Sequence, residues 1–576
     1  MLVSVCFVGI LQLQVFGAGA ARAAVLQTDP YAAEALAPYR AYREALANAD
    51  YAGVSEIAFG SRGFLAYRAA ERLARESALA PEKRLRHFER MLELRFDDPL
   101  DWLTRRELQT ELGQLAELAG ETAKAIEAFE DALPGSEAVA GLRRLQTNPY
   151  RLSNAFLQAR ENRLALDALG DLTAPSIEAP AHAALRQNEE ALDAYERWLS
   201  EVPKSREALY GKAKMLYRLE RYTEAEALFT QIGTRGAAYW RGLIARNLGQ
   251  TSRAVELLLE SGDPEDIWLA AGLLEAEARA AEALPLYLDL ASGRSAYADD
   301  AAYRAVLLAE RTGDAEASDQ AQSLLPPESF FARKLGAPLQ LTVENSLPQV
   351  VPDAVGLANA LLQVDDPEAA RGELLFALQG TSDRASRLAI AEALQALGDY
   401  RQSQRVGVAL LDAGVRDERA WQLAYPQAYR EQVSAEATRF GVPAELVWAV
   451  MRQESAFFPR AVSRSNAKGL MQVIPSTWDW LAELQGEAPG NPFDPAQNIR
   501  YGVFYLRWLQ NFFSEYGGDP ELIVTSYNRG QGYIRRLYEG AAGQDKDELY
   551  RSIDALETRE YLQRVMTNFE IYQALY

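Results

Sequence analysis

Cysteine and histidine, the side chains most often used for metal binding and nucleophilic catalysis, are almost missing from this sequence. Its 576 residues contain one cysteine, Cys6, and two histidines, His87 and His182. A zinc site, a thiol nucleophile or a Ser-His-Asp triad needs at least one of these side chains in place. We therefore expect no metal and no cofactor, and a chemistry based on carboxylate, hydroxyl, amide or tyrosine groups.

Positive charge is also in deficit. The chain has 60 Lys and Arg residues against 81 Asp and Glu residues, which gives a net charge of −21 at pH 7. Because a nucleic-acid-binding protein needs a basic face, we expect no nucleic-acid partner. A hydrophobic share of 48% is ordinary for a globular protein, and the length predicts two or more domains.

No long, uninterrupted apolar run opens the chain. The N-terminal stretch MLVSVCFVGILQLQVFGAGAARAAVLQ is broken by two glutamines and is short for a bilayer span. It leads to Ala21-Arg22-Ala23, a small-residue pattern typical of signal-peptide cleavage, although no basic residue precedes this site. We predict a signal peptide over 1–23, a periplasmic or cell-envelope location, and no stable membrane insertion after its removal.

Strand patterns are scarce, and most of the chain alternates helical periodicity with short breaks. Several helical segments carry an alanine followed one turn later by a large residue, and the alanine recurs about every 30 residues. This pattern resembles tetratricopeptide-like repeats, and simple pairing of amphipathic helices accounts for it nearly as well. The pairs are Ala125 and Phe129, Ala191 and Tyr195, Ala225 and Phe229, Ala254 and Leu258, and Ala283 and Tyr287.

Either interpretation of the repeat predicts an α-solenoid, because one helix pair cannot bury its own apolar stripe. Helically spaced aromatic residues such as Tyr210, Tyr217 and Trp240 are then expected in its core. The repeat breaks at LAYPQAYREQV, after which Asp-Pro pairs indicate helix starts. The predicted fold is all-α: a superhelical solenoid over 24–422, a linker over 423–435, and a helical domain over 436–576.

The segment MRQESAFFPRAVSRSNAKGLMQ, residues 451–472, contains the candidate catalytic residue. Glu454 lies in the last turn of a predicted helix over 443–454, between Met451 and Phe457. Apolar neighbours and the negative end of the helix dipole both favour the protonated carboxyl group. Glu454 is therefore a candidate general acid; the alternative is a solvated surface glutamate.

Further polar side chains follow Glu454 in short, distinctive segments. The loop after Glu454 and two later segments, SYNRGQG and ETREYLQRV, offer groups that can hydrogen-bond an uncharged polar ligand such as a sugar. Some of them have structural alternatives: loop or cap residues, an ion pair between Glu557 and an arginine such as Arg559, or a core position for Tyr561. The candidates are Ser463, Gln472, Tyr527, Asn528, Glu557 and Tyr561.

The segments ESAFFPRAVSRSNAKGLMQVIPSTW, SYNRGQG and ETREYLQRV, in this order, resemble the motif set of the soluble lytic transglycosylases. That family acts on bacterial peptidoglycan and has a lysozyme-like catalytic domain, and the resemblance covers residues 450–565 approximately. It implies that Glu454 is the acid/base residue. It further implies substrate contacts for Ser463, the pair Met471 and Gln472, Tyr527 with Asn528, and Glu557.

The sequence departs from the family pattern at two places. Asn466 stands where the family usually has glycine, and asparagine tolerates the left-handed backbone that glycine adopts there. Ser526 and Arg529 flank Tyr527-Asn528, where the family commonly has alanine. We expect the loop to survive the first change and the second to affect fine specificity.

The resemblance implies a lytic transglycosylase acting on peptidoglycan glycan strands. Such an enzyme needs a single carboxylic acid, because a hydroxyl group of the substrate replaces the second carboxylate of an ordinary glycosidase. The product carries a 1,6-anhydromuramyl end. Two alternatives stay open at this point: a hydrolytic muramidase of the same fold, and a non-catalytic repeat scaffold that binds peptidoglycan or protein.

Overall fold

The computed structural model describes residues 34–94, 102–146, 148–327, 329–339, 341–344, 346–540, 543, 545–553 and 555–576. The predicted signal peptide lies outside these residues. The described chain forms 33 α-helices and one 3-10 helix, with no β-strand, so the predicted all-α fold is confirmed. None of these helices is both long and apolar enough to cross a membrane.

The described helices fall into two compact units. One unit runs from 106 to 339; the other joins the residues up to 105 with those from 340 onward. The division into solenoid, linker and C-terminal domain that the sequence predicts therefore stays a prediction.

The unit of residues 106–339 is a succession of short helices, and the consecutive helices from Pro149–Gln158 to Ala315–Leu324 pack against one another in sequence order. Its helices are α5 (Trp102–Leu118), α6 (Thr122–Asp131), α7 (Ser136–Leu145), α8 (Pro149–Gln158), α9 (Asn162–Leu169), α10 (Pro175–Ala184), α11 (Asn188–Glu201), α12 (Arg206–Arg218), α13 (Tyr222–Ile232), α14 (Arg235–Asn247), α15 (Thr251–Ser261), α16 (Pro264–Ala276), α17 (Ala280–Ser292), α18 (Ala298–Thr312), α19 (Ala315–Leu324) and α20 (Phe330–Lys334).

The predicted small–large repeat forms the core of this unit. All five alanines and all five large residues of the repeat are buried. Three of the large side chains, Phe129, Tyr195 and Leu258, fit against glycines of neighbouring helices, which the sequence analysis did not identify. A side chain on Gly113 or Gly141 would overlap the Phe129 ring, and one on Gly211 would overlap Tyr195. The prediction that Tyr210, Tyr217 and Trp240 belong to the core is confirmed, since all three pack against one buried cluster.

The other unit contains the N-terminal helices and everything that follows residue 340. Its helices are α1 (Ala37–Ala47), α2 (Tyr51–Gly60), α3 (Phe64–Ala74), α4 (Pro81–Glu93), α21 (Asp353–Gln363), α22 (Pro367–Gly380), α23 (Arg384–Ala396), α24 (Tyr400–Asp412), α25 (Glu418–Ala424), α26 (Arg430–Phe440), α27 (Ala444–Ser455), α28 (Pro475–Gln485), α29 (Pro495–Phe512), α30 (Pro520–Arg529), α31 (Gln531–Glu539), α32 (Lys546–Ser552) and α33 (Leu556–Leu575). The 3-10 helix spans Ser514–Tyr516.

Helices far apart in sequence meet in this unit. Phe64 of α3 packs into the space left by Gly372 of α22. Residues of α3 and α22 form one apolar cluster together with residues of α1, α21 and α23. Asp366 at the start of α22 accepts hydrogen bonds from Arg43 and Arg68, at 2.9 and 2.7 Å. The N-terminal helices are thus held against helices more than 280 positions later in the sequence.

The last eight helices, α26 to α33, form the region that contains the candidate motifs. The helix starts predicted from the Asp-Pro pairs are confirmed at Pro495 and Pro520, where Asp494 and Asp519 cap the helices, and another helix starts at Pro475. Helix α27, which ends just after Glu454, packs against α33, and α33 also packs against α30. This arrangement brings the three separated motif segments together.

Candidate active site

Glu454 lies at an abrupt change of chain direction. Helix α27 ends at Ser455, and the next two residues, Ala456 and Phe457, both adopt left-handed backbone conformations. The Ser455 hydroxyl donates a hydrogen bond of 2.7 Å to the carbonyl of Leu470, which fixes the helix end to the returning loop. The Phe457 ring is buried beneath this turn. The carboxyl group of Glu454 is therefore held on a rigid helix end.

The surroundings of Glu454 favour its protonated form. Burial raises the pKa of Glu454 to about 7 and is the largest influence on it; the negative charge of Glu557 raises it further. A hydrogen bond opposes these effects, because the Tyr561 hydroxyl donates to Oε1 of Glu454 at 2.6 Å. The raised pKa that the sequence predicts is confirmed, and Tyr561, buried in the core, is in direct contact with the candidate acid.

The loop after α27 presents Ser463 and Gln472 to the same cleft. The Ser463 hydroxyl accepts a 3.0 Å hydrogen bond from the backbone N–H of Ala467, so its own proton can point into the cleft. The amide group of Gln472 donates to the carbonyls of Ala461 and Gly469, at 3.1 and 2.8 Å. Both residues therefore have the structural role in the loop that the sequence left open as an alternative. Both also line the cleft, as a substrate contact requires.

The left-handed loop position expected at Asn466 is present. Asn466 has a φ of 63°, and its N–H donates to the carbonyl of Ser463 at 3.0 Å. Asparagine adopts this conformation more readily than other non-glycine residues do. The substitution of asparagine for the usual glycine thus leaves the turn intact.

Met471 is placed differently from the other predicted site residues. Its side chain is fully buried against Gly502 and does not line the cleft. Its backbone joins two neighbours: the N–H donates to Oδ1 of Asn498 at 2.7 Å, and the carbonyl accepts from the Tyr527 hydroxyl at 2.8 Å. Met471 therefore holds Tyr527 in position from behind the cleft wall.

Asn498 is a buried residue that the sequence analysis missed. Its amide group donates to the carbonyls of Lys468 and Pro492, at 3.0 and 2.8 Å, in addition to the bond with Met471. Gly469 lies so close to Asn498 that a side chain there would overlap it. Two of these bonds fix the loop that carries Gln472, and the third joins it to the segment at Pro492. Only the contact with a distant loop reveals this role, because asparagine within a helix has no distinctive sequence pattern.

The two later motif segments form the opposite side of the cleft. Tyr527 and Asn528 line it from the end of α30, and Thr558 donates to Oδ1 of Asn528 at 2.7 Å. Glu557 lines it from the first turn of α33 and is exposed. No ion pair joins Glu557 to Arg559 among the residues that the structure describes. The predicted alternative of an ion pair between these two residues is therefore not observed.

The cleft has a volume of about 450 Å³ and gathers residues from all three motif segments. It also contains side chains that the sequence analysis did not select, namely Ser465, Thr477, Tyr505 and Gln531. Arg529, one of the departures from the family pattern, lines the cleft with its guanidinium group 5.3 Å from the centre of the Tyr533 ring. The cleft therefore combines many neutral hydrogen-bonding groups with two carboxyl groups, Glu454 and Glu557, and one guanidinium group, a composition that suits a saccharide.

Comparison with known proteins agrees with the resemblance that the sequence motifs show. Residues 431–550 match the transglycosylase SLT domain. The chain is 27% identical over 294 residues to the soluble lytic murein transglycosylase of Escherichia coli K12, covering 48% of this chain and 43% of that protein. It is 36% identical over 151 residues to the membrane-bound lytic murein transglycosylase C of Yersinia pestis, covering 24% and 40% respectively. The matched segments thus span less than half of either relative.

The fold also matches a solved structure over nearly its whole length. The crystal structure of the 70 kDa soluble lytic transglycosylase of Escherichia coli superposes with a TM-score of 0.55 at 17% identity, covering 94% of this chain and 91% of that one. Fold and site together define a protein that combines helical repeats with a lysozyme-like domain containing one central acid. Residues 431–550 thus match the transglycosylase SLT domain family, and the chain has the fold of the soluble lytic transglycosylase of Escherichia coli.

Proposed function

We propose that this protein cleaves the β-1,4 bond between N-acetylmuramic acid and N-acetylglucosamine in peptidoglycan glycan strands, and that it leaves 1,6-anhydromuramyl ends. The observation that carries the proposal is the state of Glu454: a carboxyl group with a pKa of about 7, held on a rigid helix end in a saccharide-sized cleft. A group that is half protonated near neutral pH can give up a proton and later accept one.

In the proposed reaction Glu454 protonates the oxygen that bridges the two sugars, and the bond from this oxygen to C1 of the muramyl residue breaks. The resulting carboxylate then removes the proton from the C6 hydroxyl of the same muramyl residue. The C6 oxygen forms a bond to C1, so no water is consumed. The N-acetyl group of the substrate can stabilise the cation formed between the two steps.

The other residues of the cleft have supporting roles in this proposal. Ser463, Gln472, Tyr527, Asn528 and Glu557 contact the sugars, as their positions on the cleft wall allow. Tyr561 and Met471 act as positioning residues. Tyr561 holds the Glu454 carboxyl group, while Met471 holds the Tyr527 hydroxyl. The site of action is the cell envelope, where the glycan strands are found.

A hydrolytic muramidase is a second candidate function, and the position of Glu557 favours it. An exposed carboxylate in the same cleft as the acid is the group that an ordinary glycosidase uses to activate water. The two reactions give different sugar ends. Mass analysis of fragments from purified sacculi separates them, because the anhydro end is lighter by one water molecule.

The substitution Glu454→Gln tests the catalytic assignment. Glutamine is nearly isosteric and can keep the contact with Tyr561, yet it cannot donate a proton to the bridging oxygen. One group performs both proton transfers, so we expect turnover to fall by about 10⁴-fold or more, with the fold retained. Release of muropeptides from sacculi measures turnover, and circular dichroism checks the fold. A folded variant with near wild-type release would show that another residue is the acid.

A further inference from the structure

Two walls of the cleft continue beyond it as a row of aromatic side chains. Thr477 and Tyr505 line the cleft. Trp480 lies one turn after Thr477 on α28, and Trp508 and Phe512 follow Tyr505 on α29 at spacings that keep them on one helix face. We call Trp480, Trp508 and Phe512 the aromatic strip.

The rings of the strip form a continuous surface that starts at the rings near Glu454. Tyr505 lies 5.1 Å from Tyr527, between ring centres, and 6.3 Å from Trp508, to which it is nearly parallel. Trp508 in turn stacks on Phe512 at 5.3 Å, and the edge of Trp480 meets Trp508 at 4.9 Å. The strip is therefore physically connected to the cleft.

The strip lies at the edge of the domain core: Phe512 packs against the buried cluster that includes Phe513, and the guanidinium group of Arg535 lies 5.5 Å from the centre of its ring. Tyr505 is buried, whereas Trp480, Trp508 and Phe512 are all partly exposed to solvent. Within the described structure neither indole N–H of the strip has a hydrogen-bond partner. Tryptophan in a core usually satisfies this donor, and a partly exposed one can offer it to a ligand.

A pyranose ring fits such a surface. Its C–H face is apolar and packs on an aromatic ring, while its hydroxyl groups accept a hydrogen bond from an indole N–H. The helical rise places Phe512 about 10 Å beyond Tyr505, which leaves room for more than one sugar ring. An occupant that is already in the cleft and continues past it must itself be a saccharide chain.

We propose that the aromatic strip is a second binding segment for the glycan strand, which holds sugars beyond those in the cleft. This inference rests on the proposed function, because it takes a glycan as the molecule in the cleft. Its consequence is a dependence on length: a long glycan contacts both cleft and strip, and a short one contacts the cleft alone.

Binding of N-acetylglucosamine oligomers to the full chain with Glu454→Gln tests the strip without turnover. Isothermal titration calorimetry would compare a tetramer with an octamer. We expect the octamer to bind more tightly to this parent protein. Adding Trp480→Ala or Trp508→Ala should weaken octamer binding by about threefold to tenfold and so reduce the ratio of octamer to tetramer affinity.

Phe504→Ala is the matched control. Phe504 is a partly exposed aromatic residue of α29 that packs against Phe440 of α26, at 5.4 Å between ring centres, and it does not line the cleft. Its removal should leave the affinity ratio unchanged. Circular dichroism of all variants confirms that each is folded.

Three results would overturn the inference: equal affinity of the parent for both oligomers, an unchanged ratio in both tryptophan variants, or an equal loss in the Phe504 control. If the two tryptophan variants lose binding only to a protein or to a cross-linked peptide, and not to the oligomers, the strip belongs to another partner. The proposed reaction is judged separately, by the mass of the sugar ends released by the wild type. Hydrolysed ends would overturn that reaction. A ratio of octamer to tetramer affinity that depends on the strip would still support the inference in that case.

Discussion

Glu454 has two opposite tasks in the proposed reaction, since it gives a proton to one oxygen and takes a proton from another. A carboxyl group with an ordinary pKa is almost fully ionised at neutral pH and is a poor acid. Burial raises the pKa of Glu454 to about 7, which keeps both forms available. The physical basis is the cost of desolvating a charge, to which the nearby Glu557 adds repulsion.

The pH dependence of activity should follow this pKa. The first step needs protonated Glu454, so kcat/KM should fall as the pH rises through about 7. Initial rates of muropeptide release at several pH values measure this fall in activity, which is the alkaline limb of the pH profile. An activity that stays constant from pH 6 to 9 would contradict the role of Glu454 as the acid.

Two variants should move this limb in opposite directions, which provides an internal control. Glu557→Gln removes a negative charge that raises the pKa of Glu454, so the limb should move to lower pH. Tyr561→Phe removes the hydrogen bond that lowers the same pKa, so the limb should move to higher pH. Shifts in the same direction for both variants would show that these residues act on activity through packing instead.

At the scale of helices, three of the five large residues of the repeat also depend on glycines of neighbouring helices. Phe129 is fully buried between Gly113 of α5 and Gly141 of α7, which meet opposite edges of its ring. The ring cannot move away from either glycine without meeting the other. Helices can approach this closely only where one surface lacks a side chain.

The substitution Gly141→Ala should therefore destabilise the repeat unit. Its new methyl group would overlap the Phe129 ring, and overpacking of this kind costs about 1–3 kcal/mol. Gly272→Ala in α16 is the matched control, because no atom lies near its added methyl group and alanine favours the helix by about 0.5–1 kcal/mol. Differential scanning calorimetry should show a lower unfolding temperature for the first variant and an equal or higher one for the second.

At the scale of the molecule, the segment predicted as a linker is held by the helices that follow it. The indole of Trp448 donates to the carbonyl of Ala428 at 2.8 Å. Two tyrosines of the C-terminal end, Tyr572 and Tyr576, donate to carbonyls of the LAYP stretch at 3.1 and 2.9 Å. The segment is thus hydrogen-bonded to α27 and to the C-terminal end of the chain.

A C-terminal fragment should therefore need this segment in order to fold. A fragment of residues 418–576 keeps the acceptors for Trp448 and Tyr572, whereas one of residues 436–576 leaves these donors without partners. Each unsatisfied buried donor costs about 1–3 kcal/mol. We expect the longer fragment to unfold cooperatively and at a higher temperature, as measured by circular dichroism. Equal unfolding temperatures for the two fragments would show that the segment is a simple linker.

The sequence by itself determined the all-helical fold, the repeat and the choice of Glu454 as the candidate acid. These features are local: helix caps, a small–large spacing within one helix, and a motif of about 20 residues around Glu454. The raised pKa was also predictable, because apolar neighbours and a helix end are visible in the sequence.

Only the tertiary structure decided which distant groups meet. It placed Tyr561 on Glu454 and Asn498 behind Gln472, put Met471 in the core instead of the cleft, and aligned the aromatic strip with the cleft. It also paired three large residues of the repeat, Phe129, Tyr195 and Leu258, with glycines on other helices. The reason is that a sequence pattern reports the face of its own helix, whereas a contact between helices depends on how both of them pack.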